Sequence, residues 1–266
     1  MSGVFSALKR RSTDGSKLAQ QQKGRKSPPV EIFTFEKFEI MDKVLTKKVE
    51  FKDIPERWKN DYDIVLSALA IKGSDIQYCG DSMIKDKTIA LLAVSKEGYS
   101  LKFLYPEFQD DLDIVKCALA NNPFSLAYAS DRLKNTFSIV KEAVKNNGRT
   151  IQYASDEMKN NKEIALIAVK QNGFAVIEVS DELQSDEDIM IESVRQNGNS
   201  LQYLPEEETK NLYILWEAVD QNKAAYRFAS PKFKKDLLNY SKIYKELSPK
   251  RCNLIFKRTN LNFKFK

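Results

Sequence analysis

Chemistry near neutral pH needs side chains that can pass a proton, hold a metal or attack a carbon, and this 266-residue chain has no histidine. That removes imidazole acid/base catalysis, Ser/His and Cys/His dyads and most zinc sites. Cys79, Cys117 and Cys252 lie far apart with no CxxC spacing. They read as incidental thiols of a reducing compartment, not as a disulfide frame or metal site. Acidic groups such as Asp186/Asp188 and Glu206/Glu207/Glu208 fall at predicted caps and loops, and the chain has neither a P-loop nor a GxSxG elbow. No catalytic, cofactor-binding or metal-binding residue is expected, and the chain is read as a non-enzyme.

What remains is amides in rows. Asn122, Asn147, Asn172, Asn197 and Asn222 precede glycine or its equivalent, a helix-stop position, and beside them Gln171, Gln196 and Gln221 read as plain surface. Gln77, Gln152 and Gln202 fall between apolar columns. They are the candidate partner-binding residues, lining a repeated face that could hydrogen-bond a partner's backbone. Glu178 stands in an otherwise aromatic column, so it must either turn outward or meet a base, because a buried lone carboxylate is costly.

These rows come from a strict internal period. Ile64, Ile89, Ile114, Ile139, Ile164, Ile189 and Ile214 recur every 25 residues. Four places on stand Ala68, Ala93, Ala118, Ala143, Ala168, Ser193 and Ala218, and further along Tyr78, Phe103, Tyr128, Tyr153, Glu178, Tyr203 and Phe228. Such periodicity marks a tandem-repeat fold. In each unit a capping residue (Asp61, Asp86, Asp111, Thr136, Asn161, Asp186, Asn211) precedes an apolar stripe at helical spacing, such as Ile139, Val140, Ala143 and Val144. Asn-Gly then ends the helix, with glycine expected in the left-handed C′ position. Segments like TIQYAS fit a short helix or two helical turns, and their alternation is too brief to argue for a strand. A one-turn element opening at Ser130, Ser155, Ser180 or Ser230 follows, anchored by Met83, Phe108, Leu133, Met158, Leu183 or Phe233. The small alanine column should let neighbouring helices approach closely. Burying each large apolar side chain contributes roughly 1.5–3 kcal/mol, too little for one unit to fold alone. The expectation is an all-α fold: an α-solenoid of seven 25-residue helix–turn–short-helix repeats with capping segments and basic tails.

The domains read as a disordered basic N-terminal tail (1–30), an N-terminal cap (31–60), the repeat solenoid (61–235) and a C-terminal cap with a basic arm (236–266). Within the first cap, Phe51 to Trp58 aligns with Leu101–Phe108 as a half-unit. The net charge of +6 conceals an asymmetry: residues 1–30 carry net +6, residues 231–266 net +9, and the stretch between them net −9. An acidic solenoid argues against a nucleic-acid-wrapping groove. Lys9, Arg10, Arg11, Lys23, Arg25, Lys26, Lys250, Arg251, Lys257 and Arg258 are the candidate contacts to an anionic surface, such as RNA, the ribosome or another anionic polymer. No apolar stretch approaches the ~18 residues of a membrane span. The expected location is cytoplasmic, with a mitochondrial alternative on the basic start around Leu8–Arg11.

Units such as SDEMKNNKEIALIAVKQNG and ASDRLKNTFSIVKEAVKNNGRTIQYAS resemble the tandem-repeat family known as domain of unknown function 4116, over about residues 51–235. Glu178, Lys223 and Glu206–Thr209 depart from its pattern. The resemblance implies a repeat fold and a binding role and carries over no catalytic residue. The expected function is a scaffold or adaptor that binds protein partners within a larger assembly. The alternatives are a ribosome- or RNA-associated accessory protein and a secreted effector-like interaction protein.

Overall fold

The computed structural model describes residues 30–205 and 211–229. Long helices are α1 (Val30–Leu45), α2 (Tyr62–Ile71), α3 (Lys87–Lys96), α4 (Leu112–Asn121), α5 (Phe137–Asn146), α6 (Lys162–Gln171), α7 (Glu187–Gln196) and α8 (Leu212–Gln221). There is no strand among the described residues, and the chain is an α-solenoid. Each unit whose residues are all described is built from three helical pieces. A ten-residue α-helix is followed by a six-residue 3-10 helix, as at Gly148–Tyr153, and then a one-turn helix such as Asp156–Lys159.

Local signals explain each piece. The cap column behaves as read: Asp61, Asp86, Asp111 and Asp186 each accept the amides two and three residues on, and Asn161 and Asn211 each accept one. Thr136 departs from the expectation. It occupies the cap position without a side-chain cap bond, because its hydroxyl donates instead to the Arg132 carbonyl at 2.8 Å. The first four residues of TIQYAS belong to the 3-10 helix Gly148–Tyr153, and Ala154 and Ser155 are extended. Three residues per turn bring Gly148, Ile151 and Ala154 to the buried side, while Arg149 stays exposed and Gln152 and Tyr153 half-buried. Ser130, Ser155 and Ser180 cap the one-turn helices by accepting the amides of Leu133, Met158 and Leu183. Leu133, Met158 and Leu183 are buried anchors, and Met83 and Phe108 are half-buried. Ser230 and Phe233 lie outside the described residues.

The helix stop works differently from the expectation. Gly148, Gly173 and Gly198 are not left-handed. The preceding Asn147 already breaks the helix with an extended backbone (φ −153°, ψ 111°). Its side chain caps the 3-10 helix by accepting the Arg149 amide at 3.1 Å, and Asn122, Asn172, Asn197 and Asn222 do the same in their own units. Glycine is required by the next unit. A Cβ on Gly98 would stand 2.5 Å from the Ala118 carbonyl oxygen, and one on Gly73, Gly148, Gly173 or Gly198 would fall closer still to its counterpart.

The core is a column that runs through the units, with every Ile of the 25-residue row fully buried. In the half-unit at the N-terminal end Phe51 and Trp58 are buried, as its alignment suggested. There α1 sets Glu39 and Lys43, an ion pair at 2.6 Å, where the other units have Ile and Ala.

Candidate functional site

The row of 3-10 helices carries the candidate residues. Gln77 and Gln202 are exposed and Gln152 half-buried, one per 3-10 helix at the same position. Each uses its Nε2 to donate to a carbonyl of its own helix: Ser74 at 3.0 Å, Arg149 at 3.1 Å and Asn199 at 3.1 Å. Alongside them runs a ladder of aromatic edges that links neighbouring units. Tyr99 meets Tyr128, Phe124 meets Tyr153 and Phe174 meets Tyr203, each edge-to-face with ring centroids 5.7–6.3 Å apart. The partners lie 29 residues apart in sequence. Counting the same 29 from Arg149 reaches Glu178, so the one acidic residue of the aromatic column falls where its ladder partner is basic. Glu178 is half-buried, as are most of the aromatics of its column, which form the flank of the core and not its centre. Lys102 and Arg227 lie over the rings of Phe103 and Phe228 at 5.9 and 4.5 Å.

Polar groups elsewhere on the solenoid are engaged between units. The column read as plain surface is a set of inter-unit staples. Asn121, Gln171, Gln196 and Gln221 each accept the amide of the preceding unit's glycine, at 2.7, 2.6, 2.6 and 2.5 Å. Their NH2 groups donate back to carbonyls of that same unit, for example Gln196 to Gln171 at 3.3 Å. Along the one-turn helices, Ser180 donates to Asn160 at 2.5 Å, Ser130 to Asp110 and Ser155 to Asn135. Lysines bridge adjacent caps: Lys87 reaches Asp111 and Asp113 at 2.7 and 3.2 Å, and Lys162 reaches Asp186 and Asp188 at 2.9 and 2.7 Å. Burial pushes Asp186 up, but the Lys162 ammonium and the backbone amides of Ile189 and Asp188 outweigh it and hold the carboxyl below its ordinary range. Several of the solenoid's acids are thus paired with lysines of the preceding unit.

Burial pushes the Cys79 thiol up to about 12, which leaves it protonated and unreactive. No group of three or more metal-ligating side chains occurs among the described residues. No helix of the described residues is long and apolar enough to cross a membrane. Lys9, Arg10, Arg11, Lys23, Arg25, Lys26, Lys250, Arg251, Lys257 and Arg258 lie outside the described residues.

The family model described as Domain of unknown function (DUF4116) matches five overlapping stretches: residues 63–109, 86–134, 111–159, 136–178 and 161–208. Together they span more than half of the chain, and from the second match on their starts advance by one 25-residue unit at a time. No curated protein and no solved structure matches it.

Proposed function

The chain belongs to the DUF4116 family, and from that premise we propose that it is a non-enzymatic repeat scaffold or adaptor that binds a protein partner along its 3-10 face. The observation that carries this reading is the regular display on that face. Gln77, Gln152 and Gln202 recur at one position, beside half-exposed aromatic rings held edge-to-face between units. A glutamine bonded only to its own helix keeps its carbonyl oxygen available to a partner's amide. Rings fixed by their neighbours give up little conformational entropy on contact. Together they form an extended surface of the kind that solenoids present.

The test is a pull-down from native extract at low and moderate salt, with and without nuclease, comparing the full chain with a Gln77→Ala/Gln152→Ala/Gln202→Ala variant. A stoichiometric protein set that survives nuclease and weakens in the variant supports the scaffold. Retention of every partner by the variant overturns this placement of the surface. The net +6 and +9 of the terminal segments favour a second reading, in which the ends anchor the protein to RNA or the ribosome. It requires nuclease-sensitive partners and an affinity that falls steeply with log salt.

A further inference from the structure

We propose that the solenoid has a built-in hinge between its third and fourth units, created by Pro123. Five of the seven units place glycine at this position and the last places Lys223. Where glycine stands, the missing Cβ lets the next long helix bring a carbonyl oxygen against the backbone. A proline ring fills that space. The long helices on either side, α4 and α5, approach each other at only a few backbone positions, whereas every other neighbouring pair lies alongside over most of its length.

The same substitution removes the staple. Proline has no N–H, so Asn146, which occupies the position of Asn121, Gln171, Gln196 and Gln221, has no glycine amide to accept, and its side chain makes no hydrogen bond among the described residues. No lysine bridges the caps here either: Leu112 replaces the lysine, and Thr136 and Ser138 replace the acids. The opposite edge of the junction keeps its ties. Ser155 N–H donates to the Lys134 carbonyl at 3.1 Å, Asn135 donates to Glu157 at 2.8 Å, and Phe124 packs against Tyr153 at 6.3 Å. An interface closed along its one-turn helices and loosened along its long helices can rock about the closed edge, changing the angle between units one to three and units four to seven.

The test uses the full chain with spin labels on keto-bearing residues introduced at exposed Lys96 and Lys145, which span the junction, and at exposed Lys170 and Asp220, which lie the same two units apart and do not. In the native chain the spanning pair should give a broader distance distribution than the control pair. Pro123→Gly should narrow it towards the control. Equal widths in the native chain, or a width unchanged by Pro123→Gly, would overturn the hinge. A second measurement isolates the staple. Asn146→Ala should leave the urea midpoint unchanged in the native background and lower it in Pro123→Gly, where the new amide gives Asn146 a partner. The same loss in both backgrounds would show that Asn146 is already engaged and sink the proposal.

Discussion

Gly148 and Gln171 show how single positions tie one unit to the next. Any side chain at Gly148 meets the Ala168 carbonyl, which belongs to a helix backbone and cannot swing aside. Gly148→Val should therefore destabilise the fold by about 1–3 kcal/mol or more through overpacking, read as a lower urea midpoint. A variant that melts like the parent would mean that the helices are not that close. Gln171 carries two bonds across the interface, to the Gly148 amide and the Asn146 carbonyl at 2.6 and 3.4 Å. Gln152 reaches only its own helix. Gln171→Ala should cost about 1–3 kcal/mol, since it strands a half-buried amide, and Gln152→Ala no more than about 0.5 kcal/mol. Equal losses would erase the distinction between staple and display.

The long helices depend on their caps, and the caps are linked by lysines. A carboxylate whose folded value is depressed contributes stability above its unfolded value, and that contribution is lost as pH falls through the folded value. Asp186 and Asp111 are both held low, each raised by burial but lowered further by a lysine and by helix amides. Lys162→Met removes the ammonium from Asp186 and leaves the Lys87–Asp111 pair in place. Between about pH 4 and pH 2 the variant's melting temperature should fall less than the parent's, while raised salt should narrow their difference at neutral pH. Parallel pH profiles would mean that the ion pair does not lower Asp186.

Stability accumulates along the stack, because each unit's buried face is completed by its neighbours. Ala168 lies fully buried in the column where long helices pass each other, on a helix that lies closely alongside both of its neighbours. Ala168→Leu should force those helices apart and destabilise by about 1–3 kcal/mol, seen in thermal melts. Tolerance of leucine there would place the seam elsewhere. At the N-terminal end the unit itself changes: α1 has 16 residues where the other long helices have ten, and Glu39 and Lys43 stand at the positions of the Ile and Ala columns.

How much of this was legible in the chain follows from the range of each interaction. The 25-residue period, the capping Asp/Asn column, the Ser-initiated turns and the buried Ile and Ala columns rest on contacts within a few residues, so they can be read along the sequence. The 3-10 geometry was only half legible, since three residues of TIQYAS fit several periods. The reason for glycine was not legible, because the atom that excludes a side chain belongs to a carbonyl 20 residues away. Nor was the work of Gln171 and Gln196, whose partner amides lie 23 residues back, nor the ladder of rings that meet across 29 residues. A perfect repeat names its columns but not which column of one unit faces which column of the next. That register is set by packing two copies of the unit against each other, and only the folded stack contains it.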